Sequence, residues 1–281
     1  MPAQTLTPRE LAVRGENVDT RNWMDIFSAA PSHVAEALGL ATQWQGPLAM
    51  VRSKIPFSHF NMVLTLGCPA PFDDMAMASI QQFYDARGGG KHWIMVVGEA
   101  EPRDLGSLLQ ARGYQSAGAW DRVVSHNVNA DLCESLGKNC ERVTADNAAE
   151  WSAFLLKCYG MPPIVGDWLH TLIGRKGWIH ALRREGGVKG APVVMTRSLF
   201  LGDDGWAWLG IDAPIPGVMA PCYDDDQTVT AALLSAAAKA GAHSFVSDIE
   251  VPEADRQGPA YLRWGELGFA PVYLRNLYSK G

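Results

Sequence analysis

A chain of 281 residues, 47% hydrophobic and 19% charged, can bury one large core or two ordinary ones. Its formal charge of -6, with no Lys/Arg run beyond the pairs Arg175-Lys176 and Arg183-Arg184, excludes the basic footprint that a nucleic-acid backbone requires. The five cysteines are spaced too widely for a zinc ribbon or a CxxC pair, no stretch reaches the ~20 apolar residues of a membrane span, and Met1 to Val13 lacks a signal-peptide core. The expectation is a cytoplasmic protein with reduced thiols and neither nucleic acid nor membrane as a partner.

In chain order, residues 1 to 50 show helix-like patches at Trp23 to Ala30 and Pro31 to Leu38. Strands follow at Met50 to Ile55 and His59 to Gly67, then a helix from Asp73 to Arg87 that Gly88-Gly89-Gly90 stops. A strand at His92 to Val97, a helix at Pro102 to Arg112 and a strand at Trp120 to Ser125 complete the first half. The polar stretch from Asn129 to Asn139 reads as a connector. Beyond it come a strand at Glu141 to Thr144, a helix at Ala148 to Tyr159 capped by Asp146 or Asn147, and a helix at Val165 to Ile173. Strands at Trp178 to Arg183, Pro192 to Phe200 and Trp206 to Ile211 form a meander, which feeds the acidic turn Tyr223-Asp224-Asp225-Asp226. That turn enters a helix whose stripe Val229, Ala232, Leu233, Ala236 and Ala240 ends at Gly241; a strand at His243 to Ile249 follows.

The second half repeats the first. Leu209-Gly210-Ile211-Asp212-Ala213-Pro214 echoes Leu66-Gly67-Cys68-Pro69-Ala70-Pro71, His243 echoes His92, and Gly268-Phe269 echoes Gly113-Tyr114. The offsets are 210 − 67 = 143, 243 − 92 = 151 and 268 − 113 = 155, a drift that loop insertions produce. The expected domains are 1–138, a degenerate copy, and 139–281.

Strand, two helices, three-strand meander, helix, strand, helix, strand is the order of the GNAT (N-acetyltransferase) superfamily. The stretches Gly166-Asp167-Trp168-Leu169, Leu172 to Trp178, Trp206 to Gly210, Pro259-Ala260-Tyr261 and Gly268-Phe269 resemble tandem, two-copy GNAT-like proteins, as do Phe60 to Gly67 and Ala111 to Tyr114 in the first half. The resemblance implies an α+β (mixed α/β) fold of two tandem domains, each a mostly antiparallel central sheet flanked by helices. It implies an acetyl-CoA site in the second copy, with the pantetheine arm along Leu209, Gly210 and Ile211 and the diphosphate at the turn carrying Gln227, Thr228, Val229 and Thr230. The family's Arg/Gln-x-x-Gly-x-Gly/Ala turn lets backbone N–H groups approach the diphosphate at a helix N-terminus. Its basic residue falls here on Asp225 and its glycines on Thr228 and Thr230, so all three positions depart from the pattern. A carboxylate ~6 Å from a phosphate charge costs about 0.7 kcal/mol in water and about 3 kcal/mol at an effective dielectric near 20. Asp224, Asp225 and Asp226 therefore disfavour acetyl-CoA or another acyl-CoA. The alternative role for these acids is to cap the helix and complement its dipole.

Acyl transfer to an amine needs a base for the amine and an acid for the departing thiolate. The family's usual tyrosine position holds Trp264; Tyr261, one turn earlier, is the candidate acid. Asp248 and Glu250, at the end of the strand facing the cofactor cleft, are candidates for a base or for binding a cation. Trp168, Trp178, Trp206 and Trp208 read first as core packing, because large aromatics dominate core burial, and alternatively as an acceptor pocket. The histidines show no HxH or HExxH spacing, so no metal is expected. Two functions stay open: N-acyl transfer to a small amine, and a non-catalytic pseudo-acyltransferase that binds a small molecule or a protein partner.

Overall fold

The computed structural model describes residues 6–281. The elements run α1 (Pro8–Ser28), α2 (Ser32–Leu38), β1 (Ala41–Gln45), β2 (Leu48–Arg52), β3 (Met62–Leu64), α3 (Asp74–Asp85), β4 (His92–Val97), α4 (Leu105–Ala111) and β5 (Gln115–Ser125). They continue with α5 (Ala130–Gly137), β6 (Cys140–Arg142), α6 (Ala148–Tyr159), α7 (Ile164–His170), β7 (Trp178–Arg184), β8 (Val193–Leu201), β9 (Trp206–Ala213), α8 (Tyr223–Lys239), β10 (Ser244–Ile249), α9 (Pro259–Glu266) and β11 (Ala270–Lys280). No helix among the described residues is long and apolar enough to cross a membrane.

The chain divides into two compact units. One holds the described residues up to Ser28, Ser32–Trp120 and Tyr273–Gly281; the other holds Ala29–Pro31 and Asp121–Val272. In the first, β1, β2 and β3 pair antiparallel, β3 and β4 pair parallel, and the 275–280 stretch of β11 lies antiparallel to β4. In the second, β6 through β9 form an antiparallel run, β9 and β10 pair parallel, and the 121–125 stretch of β5 lies antiparallel to β10. Each unit thus ends its sheet with a strand contributed by the other half of the sequence.

Local geometry revises the register of the repeat. Gly67 N–H donates to the Ala70 carbonyl at 2.7 Å, and Gly217 N–H donates to the Ala220 carbonyl at 3.1 Å. Both glycines take the left-handed region, φ +80° and +76°, where a side chain is strained. The structural counterpart of Leu66–Pro71 is therefore 216–221, not 209–214, and the offset becomes 217 − 67 = 150. The Leu-Gly at 209–210 belongs to β9 itself.

The second unit's core joins Ala207 and Leu209 of β9 to Val229, Leu233, Leu234 and Ala237 of α8, with Phe245 and Trp264. The expected polar connector is in fact helix α5, capped by Asn129, whose Oδ1 accepts from Leu132 N–H at 3.1 Å. One turn of this helix sits against the α8 backbone: a Cβ on Gly137 would lie 2.7 Å from the Ala232 Cα. Gly137→Ala is expected to destabilise by about 1–3 kcal/mol in urea unfolding despite alanine's better helix propensity, because the backbone of α8 cannot yield as a side chain can.

Candidate functional site

The parallel pair β9/β10 is where the site opens. Ladder pairing runs Ser244↔Trp206, Phe245↔Ala207 and Val246↔Trp208 and then stops, although both strands continue. Beyond the last pair a side chain takes over, Ser247 Oγ donating to the Leu209 carbonyl at 3.1 Å. The expected pantetheine residues Leu209, Gly210 and Ile211 lie on this unpaired stretch. Gly210 also has a packing reason: a Cβ there would stand 2.1 Å from the Trp208 ring.

The other edge of β9 carries a bulge. Between the pairs Ser198↔Gly210 and Thr196↔Ala213, two β9 residues oppose Arg197 alone, and Ile211 takes φ +49°, rare for a β-branched residue. The bulge aims Asp212 at Arg197, whose guanidinium is 3.0 Å from Asp212 Oδ2 and 2.7 Å from Asp226 Oδ1. Arg197 is buried, donates also to Ser247 Oγ at 3.3 Å, and lies 5.1 Å from the centre of the Trp264 ring. Tyr159 donates its hydroxyl to the Asp212 backbone carbonyl at 2.5 Å.

The acidic turn does not cap α8 through its side chains. The N-cap residue is Cys222, with no side-chain hydrogen bond. Each aspartate instead meets an arginine from elsewhere in the unit: Asp224 with Arg263 of α9 at 2.7 Å, Asp225 with Arg183 of β7 at 2.5 Å, and Asp226 with Arg197 of β8. In the first unit, by contrast, Asp73 does cap α3, its side chain accepting from Ala76 N–H at 2.8 Å. The Asp224–Arg263 pair is exposed, with side-chain accessibilities of 81% and 37%, so Asp224→Ala is expected to change stability by no more than about 1 kcal/mol in thermal unfolding.

Asp226 differs because it is buried and shares one guanidinium with Asp212. Burial pushes its carboxyl up to about 6, more than Arg197 pulls back. A carboxyl whose folded pKa exceeds its unfolded value holds more protons when folded between about 4 and 6, so its contribution to stability falls as pH rises through that window. His180, lowered to about 4 by burial, acts in the opposite sense as pH rises from about 4. The difference between wild type and Asp226→Asn isolates the aspartate. In urea unfolding the variant is expected to gain on wild type by up to about 3 kcal/mol from pH 4 to pH 7, and a flat difference refutes the shift.

At the far end of β10, Glu250 is half-buried, and burial together with the charges of Asp212 and Asp248 pushes its carboxyl up to about 8. Asp248 faces buried Arg122 at 3.3 Å. Tyr261 is committed elsewhere: its hydroxyl donates to Asp121 Oδ2 at 3.1 Å, and burial with that carboxylate pushes it up to about 12. Of the residues expected at the diphosphate, Val229 and Thr230 are buried, Gln227 donates to Glu266 at 2.6 Å, and Thr228 donates back to the Asp224 carbonyl. Trp168, Trp178, Trp206 and Trp208 are all buried, Trp178 stacked on His180. Sequence reasoning missed Arg183, Arg197, Asp212 and Arg263; the available signal was Arg197 itself, one charge inside the apolar strand VVMTRSLFL.

The second unit combines a meander, a parallel pair that opens after three rungs, and a long helix entered from that pair. No protein-family model and no curated protein sequence matches the chain. Solved structures do. A GCN5-related N-acetyltransferase from Kribbella flavida is similar over 96% of each chain, with 16% identity and a TM-score of 0.62. A tandem GNAT protein from the clavulanic acid biosynthesis pathway is similar over 96% of each chain, with 13% identity and a TM-score of 0.52. A conserved protein of unknown function from Staphylococcus epidermidis has 10% identity over 85% of this chain and 92% of its own, with a TM-score of 0.54. The chain has a tandem GNAT fold.

Proposed function

We propose that the second unit is an N-acyltransferase that takes an acyl-CoA donor and a small cationic amine, with Glu250 as the base. The observation that carries this reading is Glu250: a half-buried carboxyl raised to about 8, beyond the point where β9 and β10 part. A base in that range is ionised, and accepts a proton from an ammonium, as pH rises to about 8 and above, and it is not spent on an arginine of its own. Asp212 and Asp248 add negative charge that favours a cation. The arginine partners of Asp224, Asp225 and Asp226 reduce the repulsion that free carboxylates impose on a diphosphate, and the first turn of α8 carries no side-chain cap.

A specific observation favours the second reading, a non-catalytic protein binding a small molecule or a partner. With Tyr261 held by Asp121 and Trp264 in the family's tyrosine position, neither supplies a proton to a departing thiolate. One experiment separates the two. Acetyl-CoA at a hundred times its dissociation constant stabilises by about 2.7 kcal/mol, so a thermal shift with acetyl-CoA and CoA release with a panel of small diamines are expected. No shift at millimolar acetyl-CoA ends the transferase reading.

A further inference from the structure

A second candidate site lies on α8 away from the turn. A cavity of about 320 Å³ opens between α5, α8, the edge strand β6 and its neighbour β7. Its existence follows from residue size. The close approach of Gly137 to Ala232 brings the helices together at one point, while Ala232, Ser235 and Ala236 on α8 leave the space beside it unfilled. Apolar groups line it, Cys133 and Leu233 being fully buried and Ile179 and Ala181 nearly so. Its lining on α8 begins at Ala232, six residues or about 9 Å along the helix from Asp226, and includes none of Asp224, Asp225 and Asp226.

The cavity's charge is one-sided. Glu141 lies 2.9 Å from Arg184, a guanidinium it shares with Glu150 at 2.7 Å, and Glu134 lies 3.8 Å from Lys239. Lys138 and Arg142, both exposed and both lining the cavity, have no ion-pair partner among the described residues. The charge of Arg142 is felt inside the unit, where it helps hold His180 neutral. An apolar cavity at the small end of the ligand-pocket range, with two unmatched cations at its rim, is complementary to an amphipathic anion. The geometry points to a binding site for a small apolar-tailed carboxylate, the tail against Leu233 and Ile179 and the carboxylate at Lys138 and Arg142.

The test titrates the full chain with octanoate, read by calorimetry and by 15N amide shifts, with octylamine as the charge-reversed control. Expected is saturable binding of octanoate at millimolar concentration, with shifts at Cys133, Gly137 and Ala236, and no saturable binding of octylamine. Lys138→Glu with Arg142→Glu is expected to weaken octanoate at least tenfold, and Ala236→Phe, which fills the cavity, to abolish it. Absence of saturable octanoate binding, equal binding of octylamine, or undiminished binding in Ala236→Phe overturns the site. Should Ala236→Phe not fold, the double variant at two exposed positions decides: unchanged affinity overturns the proposal, and tenfold loss upholds it. None of these readouts involves CoA or Glu250, so failure here is distinct from failure of the transferase reading.

Discussion

Replacing Arg197 by methionine is expected to destabilise the protein by about 3–5 kcal/mol in urea unfolding at neutral pH, the largest effect of any single substitution in the site. The reason is desolvation. Arg197 is 3% exposed, and its guanidinium is shared by Asp226 and Asp212, with side chains 8% and 15% exposed. Methionine matches much of the volume but leaves two carboxylates without the charge that holds them. Water cannot reach them well enough to compensate, so they must protonate or the turn must open. Lysine is not expected to rescue fully, since a point ammonium cannot make the divergent contacts of a guanidinium to Asp226, Asp212 and Ser247. The diagnostic comparison is Arg197→Met with Asp226→Leu. Removing one of the two carboxylates along with the cation is expected to recover part of the loss. A single variant that costs less than 1 kcal/mol would show that the triad contributes no more than a surface pair.

The same triad shows which parts of the molecule were legible in the sequence. Helix α8 was, because its apolar stripe repeats at helical spacing and glycine ends it; strands β4, β7 and β8 were, because they are apolar and bounded by turns. Helix α1 was legible only at its end. The face it buries carries Glu16, Asp19, Thr20 and Asn22, so the apolar period that announces a helix is interrupted where the helix is most buried. Arg275 and Tyr273, more than 250 residues away, pair with Glu16 and Asp19 on that face, and no local pattern reports them. Helix α5 is short, eight residues with Cys133 as its fully buried member, and so read as polar connector. The exchange of β5 and β11 between the units is a pairing choice that the period of a strand does not encode.

The candidate site divides in the same way. The acidic turn was visible as three consecutive carboxylates, and its departure from the family's glycine pattern could be counted. Its electrostatic meaning could not, because Arg183, Arg197 and Arg263 reach it from 42, 29 and 39 residues away. Read alone, the turn repels a diphosphate. With its three arginines it is a set of ion pairs of low net charge, so the carboxylates no longer act as free charges at that helix start.

On the proposed acyl-transfer reading, Glu250→Gln is expected to lower turnover of an amine acceptor by about 10²- to 10⁴-fold, the usual worth of a positioned base. The pH dependence gives the sign. A base raised to about 8 is mostly protonated at pH 7, so wild-type kcat/KM rises with pH and levels off above about 8. In Glu250→Gln that rise through 8 is lost, because the amide neither titrates nor accepts a proton. Affinity for acetyl-CoA, read by thermal shift, is expected to stay unchanged, since Glu250 lies at the end of β10 and not at the turn that enters α8. That separation matters because glutamine keeps the shape and much of the hydrogen bonding of the native residue. Asp248→Asn provides the contrast: it faces Arg122, and losing its charge lowers the Glu250 carboxyl toward its ordinary range and moves the rise in rate to lower pH. A Glu250→Gln enzyme within tenfold of wild type, or a profile through pH 8 that Asp248→Asn does not move, assigns the proton transfer to another group.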